Sequence, residues 1–188
     1  MNALIIYAHP WEGSFNHHIL ERTTNLLKES GKTVDIIDLN QDGFNPVLTK
    51  SDLKLFSQGA YHDPLAKNYL ERLKAADEVV LLFPIWWYGE PAILKGFYDK
   101  VLLKGHAYGE VDHALKGLLD IHKATIITTA NISKEIFSML GDPINNVLAH
   151  GIFATVGIDH VNWIHCKTVH LEASRNEFLA DIDKHFSK

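Results

Sequence analysis

Cysteine is nearly absent from this chain: Cys166 stands alone among 188 residues, so no intrachain disulfide can staple the fold. A reducing compartment, the cytoplasm, is therefore the expected location. No apolar run approaches the length of a bilayer crossing, and residues 3–8 behind Met1 lack a preceding basic region. That stretch is read as a first strand rather than a signal, and the protein is expected not to be embedded in a membrane. There is no Lys/Arg-rich block, and a net charge of -5 gives no general attraction to nucleic acid. The twelve histidines form neither an HExxH pattern nor a Cys/His pair, so no metal site is expected. They are read as exposed side chains or strand-end hydrogen-bonders. G-x-S-x-G is missing, and Cys166 has no nucleophile signature around it, which argues against hydrolysis by a side-chain nucleophile. GxxxxGK[ST] and GxGxxG are missing too, which excludes a P-loop and weakens a conventional dinucleotide fold.

What is present is an ordinary globular balance, 46% hydrophobic and 22% charged, at a length that suits one domain over residues 1–188. Apolar, β-like stretches at 3–8, 33–39, 78–83, 124–129 and 160–165 alternate with helical spacing at 15–30, 64–75, 91–103, 144–156 and 172–186. A further short helix is read at 49–56. Ser14 is placed to cap the first helix and Gly31 to end it, while Pro91 suits a first helical position. Five strands separated by helices predict an α/β fold with a parallel sheet covered on both faces. The flavodoxin-like three-layer sandwich, a five-stranded sheet of order 2-1-3-4-5, meets those conditions.

In that order strands 1, 3 and 4 are central, and ligands bind beyond their carboxyl ends. Strand 3 runs through Leu81-Leu82-Phe83-Pro84-Ile85 into Trp86-Trp87-Tyr88 and a Gly89-Glu90-Pro91 turn. Consecutive residues of an extended segment alternate faces, so three aromatics cannot all point inward. At least one must be exposed or cover a ligand, and a flat conjugated ligand suits such a surface. Strand 1 leads into His9-Pro10-Trp11-Glu12-Gly13-Ser14-Phe15-Asn16. A helix N-terminus there favours an anion such as phosphate, although Ser14 as a simple cap and His9 as a turn residue explain the segment equally well. Strand 4 ends in Thr128-Thr129-Ala130-Asn131, small residues that allow close backbone approach or merely end a strand. His106-Ala107-Tyr108-Gly109 reads as a surface turn.

Together these loops resemble the NAD(P)H:quinone oxidoreductase family, the DT-diaphorase-like flavoproteins of flavodoxin-like fold. The resemblance is carried by Ala8-His9-Pro10 with Ser14-Phe15-Asn16, by Phe44-Asn45-Pro46, and above all by the block from Phe83 to Gly96. Ala107-Tyr108 and Thr128-Thr129 follow in order. The resemblance implies that His9, Ser14, Phe15 and Asn16 hold the flavin phosphates and ribityl chain. It implies that Pro84, Ile85, Trp86, Trp87 and Tyr88 line the isoalloxazine, with Thr128, Thr129, Ala130 and Asn131 as the other wall. Trp87, Tyr88, Tyr108 and Asn131 are the residues it places nearest the chemistry. Tyr108 is similar to a family residue that reaches into a second subunit, which implies a homodimer with shared active sites.

The implied activity is ping-pong: NAD(P)H delivers hydride to flavin N5, and a quinone or a nitro- or azo-aromatic acceptor then takes two electrons. FAD is the implied flavin, with FMN the alternative; the choice between NADH and NADPH stays open. Two departures from the family pattern stand out. Its Thr-Thr-Gly-Gly is here Thr-Thr-Ala-Asn, and a family tyrosine that steadies charge on the reduced flavin aligns with Phe137. A nearby family histidine has no counterpart around Gly141-Asp142-Pro143, so a Tyr/His proton relay does not carry over. A second reading, from similar family members of this length, is a flavin-bearing ancillary or regulatory subunit of a potassium-efflux system.

Overall fold

Five parallel strands form the centre of the computed structural model, which describes residues 1–187. In chain order the elements are β1 (Asn2–Tyr7), α1 (Phe15–Glu29), β2 (Thr33–Asp38), α2 (Lys50–Phe56), α3 (Pro64–Lys74) and β3 (Glu78–Pro84). There follow α4 (Ala92–Val101), β4 (Tyr108–Val111), β5 (Ala114–Gly117), β6 (Lys123–Thr129) and α5 (Lys134–Met139). A π-helix (Pro143–Phe153) runs into α6 (Ala154–Val156), and β7 (Val161–Cys166) and α7 (Glu172–Phe186) complete the fold. The sheet order is β2-β1-β3-β6-β7, which is the expected 2-1-3-4-5 once the separate β4–β5 hairpin is set aside. Among the described residues, no helix is long and apolar enough to cross a membrane.

Burial follows from that order. β3 is buried at every position, and β1 and β6 at every position after their first. A strand covered on both faces has no use for alternation, hence the continuous apolar runs of β1 and β3, while β6 buries threonines among its apolar residues. Leu4, Ile6, Leu81 and Ile126 point to the side of α3, α4 and the π-helix, while Ile5, Tyr7, Leu82 and Ile127 face α1 and α7. At the amino ends of the strands, buried Glu78 joins Lys32 at 2.6 Å and Lys123 at 2.9 Å. Burial pushes the Glu78 carboxyl up, but the bonds from Lys32 and Lys123 outweigh it and hold the group below the usual carboxylate range.

The helix ends show local chemistry at work. Ser14 Oγ accepts the His17 N–H at 3.1 Å, and Gly31 takes φ +79° just past α1, as expected. Thr49 and Asp52 form a reciprocal capping box on α2. Pro91 lies just outside α4 as its cap, and the helix stops two residues short of the expected end, because Leu102 turns the chain toward the hairpin. The expected surface turn at 106–109 instead leads into that hairpin. Gly117 is required there: a Cβ would lie 2.1 Å from the Gly157 backbone nitrogen, where the hairpin meets the end of α6. The helical spacing over 144–156 is realised mostly as the π-helix, whose i→i+5 bonds widen each turn. α5 was not marked by any expected element.

Candidate functional site

Three loops meet at the carboxyl edge of the sheet, following β1, β3 and β6. After β3, the chain closes a tight turn in which Trp86 and Gly89 exchange backbone hydrogen bonds of 3.0 and 3.1 Å. Its two central residues, Trp87 at φ +50° and Tyr88 at φ +67°, are both left-handed, the signature of a type I′ turn. Such turns favour Asn and Gly, and bulky aromatics there carry backbone strain. The turn keeps all three rings out of the core: Trp86 is 48%, Trp87 97% and Tyr88 47% exposed. The aromatics are therefore displayed by a turn, not by an extended segment. Pro84 and Ile85 beside them are buried, and Ile85 donates its N–H to the Thr129 carbonyl at 2.9 Å.

The loop after β1 is joined to both of its neighbours. The His9 ring lies 6.1 Å from Trp86, tilted by 59°. Its Nδ1 accepts the Trp11 N–H at 3.1 Å, so the neutral ring carries its proton on Nε2; burial lowers its pKa and favours that form. Asn16, 5% exposed, bonds Thr129 Oγ1 at 3.0 Å and thereby ties the start of α1 to the end of β6. Gly13 lets the Trp11 indole fold across it, since a Cβ there would sit 2.5 Å from the ring. The first turn of α1 leaves N–H groups without intrahelical partners beside this aromatic rim. Phe15 packs against Phe178 and His18, behind the loop.

The wall after β6 divides its residues by direction. Thr128 and Thr129 are buried, with their hydroxyls engaged internally, so a ligand could meet their backbone but not those oxygens. Ala130 is 9% exposed, and Asn131 lies at the surface, its side-chain oxygen bonded to His170 Nδ1 at 2.8 Å. His9, Asn16, Trp86, Thr129 and Ile85 are thus joined to one another. Tyr108 is elsewhere: it lines a separate cleft with Tyr98, Leu102, Leu115 and Ile152, away from the three loops.

Sequence reasoning missed His165, Trp163 and His170. His165 and Trp163 sit on β7 beneath the wall, and His170 follows it. Their signal was weak, since a histidine near a strand end is usually only a hydrogen-bonder, which is the role His165 fills. Phe137 is fully buried and meets the His165 ring edge-on at 5.5 Å, so the position aligned with the family tyrosine is core here. Among the described residues, no three His, Cys, Asp or Glu side chains converge as a metal ion would need.

With this geometry in place, the relatives of the chain are informative. A family model described as the flavodoxin-like fold matches residues 1–188. An uncharacterized NAD(P)H oxidoreductase of Haemophilus influenzae is 32% identical over 174 residues, covering 91% of this chain and 86% of that protein. NAD(P)H dehydrogenase (quinone) 1 of Rattus norvegicus is 32% identical over 155 residues, 74% of this chain but only 57% of the rat protein. The solved NAD(P)H:quinone oxidoreductase of Methanothermobacter marburgensis superimposes with a TM-score of 0.90 at 25% identity, covering 100% of this chain and 98% of its own.

Proposed function

Since the chain belongs to the flavodoxin-like fold family, we propose that it is a flavin-dependent NAD(P)H oxidoreductase acting on quinones or similar aromatic acceptors. The observation that carries this reading is the type I′ turn. It holds Trp86, Trp87 and Tyr88 out of the core at the carboxyl end of a central strand, beside the N-terminus of α1. The relatives' names, which include NAD(P)H oxidoreductase and quinone dehydrogenase, agree with it.

The residues fit a flavin. The exposed rings of the turn and the backbone of Ile85 would border the isoalloxazine, with Thr129, Ala130 and Asn131 across from them. His9, Ser14, Phe15 and Asn16 would border the ribityl chain and phosphates, where the free N–H groups of α1 favour negative charge. A flavin held by these residues would supply two-electron redox chemistry between NAD(P)H and the acceptor. This chain's own part is to orient flat rings face to face and to exclude water between them. Neutral His9 keeps an Nε2–H donor free of the Trp11 bond, beside the Trp86 ring, and Tyr88 is half-exposed on the same turn as Trp86. Asn16 and Thr129 hold the two walls at a fixed separation.

FAD is the proposed flavin, because the loop 9–16 resembles that of the FAD-holding members. The proposed assembly is a homodimer in which Tyr108 of a second copy completes the acceptor site.

The test is the visible spectrum of the purified protein, with heat release and chromatography of any chromophore, followed by quinone-dependent oxidation of NADH and NADPH. A yellow protein releasing FAD and turning over quinone supports the whole reading. FMN would correct the cofactor alone. A colourless protein that also refuses added flavin would overturn the function.

A further inference from the structure

The sheet ladder holds the wall only as far as Ala130, whose N–H reaches the Cys166 carbonyl at 2.9 Å and whose carbonyl accepts the Val169 N–H at 3.0 Å. Beyond it the chain leaves the sheet through Asn131, Ile132 and Ser133 before α5 begins. The Ile132 carbonyl is held by His165 Nε2 at 2.8 Å. A carbonyl only accepts, so Nε2 bears the proton and Nδ1 is bare. Nδ1 lies 2.8 Å from Thr128 Oγ1, which must then donate to it. The same hydroxyl accepts the Trp163 indole N–H at 2.8 Å. Thr128 is wholly buried, so its hydroxyl has no water to turn to. Every proton in this chain of three bonds has one direction, from Trp163 to Thr128, from Thr128 to His165, and from His165 to Ile132.

Packing fixes the ring as firmly. Phe137 meets His165 edge-on at 5.5 Å, and Trp163 lies 5.4 Å from it. On the outer side, Lys134 Nζ stands 4.3 Å over the Trp163 ring and donates to the Trp163 carbonyl at 2.8 Å.

We propose that His165 is a positioning residue for the flavin site: its Nε2–H sets the Ile132 carbonyl, and so fixes the wall segment that carries Asn131. The inference rests on the reading of the site given above. Asn131 is the outermost group of that wall, and His170 is bonded to it, so a displaced Ile132 would shift both. The arrangement requires a neutral ring. Burial lowers the His165 pKa and Lys134 adds to the effect. The other charged or titratable groups around it are Lys184, His185 and Asp181 from α7 with Glu177 and Lys167 beyond. A proton on Nδ1 would face the Thr128 hydroxyl hydrogen and leave that hydrogen without an acceptor, so in acid the ring loses its seat on Thr128 and the Ile132 bond is held at one end only.

The decisive experiment compares wild type, His165→Phe and His165→Gln by FAD affinity from about pH 5 to 8 and by amide hydrogen exchange over residues 130–136. His165→Phe keeps a flat ring and removes both bonds; His165→Gln can still donate to Ile132 but cannot titrate. The expected result is an FAD dissociation constant raised about tenfold in His165→Phe, as for other residues supporting a site from behind, with faster exchange of 130–136. His165→Gln should recover most of the affinity and lose the acid weakening that wild type shows as pH falls through the lowered His165 pKa. Equal affinity, equal pH dependence and equal exchange in all three proteins would overturn the proposal while leaving the flavin reading intact. If wild type takes up no flavin, the functional reading fails, and exchange alone decides whether His165 positions the segment. Should His165→Phe not fold, ¹⁵N shifts of the wild-type imidazole decide: an Nε2–H tautomer is expected, and an Nδ1–H tautomer would overturn the assignment.

Discussion

Trp87 and Tyr88 occupy backbone conformations that suit glycine and asparagine, at φ +50° and +67°. For ordinary L residues the left-handed region costs about 1–2 kcal/mol each, and strain of this kind persists where function requires it. Trp87 is 97% exposed, so its indole contributes almost nothing to the core that could offset the strain. Trp87→Gly and Tyr88→Gly are therefore expected to stabilise the flavin-free protein by about 0.5–1 kcal/mol each, after allowing for the greater freedom of glycine in the unfolded chain. Urea denaturation of the flavin-free proteins measures that gain. The same variants should retain less flavin on purification. A variant that is no more stable, or that keeps its full flavin content, would show that the turn is not held in strain for a ligand.

Each strand of the sheet has two unlike ends, and the division of labour between them is an element-scale property. At the amino end, Glu78 of β3 gathers Lys32, just before β2, and Lys123, the first residue of β6. Removing a partner from a buried ion pair costs about 3–5 kcal/mol. Lys123 is substantially in water, so about 2–3 kcal/mol is expected for Glu78→Gln. Because the folded carboxyl is held below its unfolded value, its stabilisation is complete above about pH 4.3 and fades as pH falls through the folded pKa. The gap between wild type and Glu78→Gln, measured by denaturation across that range, should close in acid. A gap constant with pH would remove the ionic account.

The same division explains what could be read from sequence. Strands β1 and β3 are apolar at nearly every position, β6 carries the buried run Ala124 to Ile127 with threonines, and β2, β7, α1, α3 and α7 kept their expected places. The hairpin escaped because Val111 and Leu115 lie exposed on short strands with no alternation to betray them. The π-helix escaped because its residues still recur at nearly helical intervals. The rim was legible in Trp86-Trp87-Tyr88. The links that make it one site were not: Asn16 and Thr129 are 113 residues apart, and His165 reads as any strand-end histidine. Side-chain pairing across the sheet leaves no local pattern.

At the scale of the whole molecule, the β4–β5 hairpin, α4 and the end of the π-helix enclose a cleft of about 440 Å³ lined by Tyr98, Leu102, Tyr108, Leu115 and Ile152. Leu115 and Val111 are more than half exposed next to it. An apolar surface of this kind is the natural seat of the proposed dimer. Leu115→Glu should leave the five-stranded core intact and give a monomer by light scattering, with acceptor turnover reduced more than flavin content. A wild-type protein that is monomeric, or a Leu115→Glu protein of unchanged mass, would remove Tyr108 from the acceptor site.

The crowding of indoles at the rim makes the molecule its own optical reporter. Three of the four tryptophans, Trp11, Trp86 and Trp87, stand in solvent around the three loops, and the fourth, Trp163, donates its N–H into the knot beneath them. Emission from the first three should be red-shifted and quenched by energy transfer when a yellow chromophore arrives. Trp163, bonded to Thr128 beneath the same wall, should be quenched with them. One ultraviolet titration thus follows occupancy of the site through its intensity, with no label added.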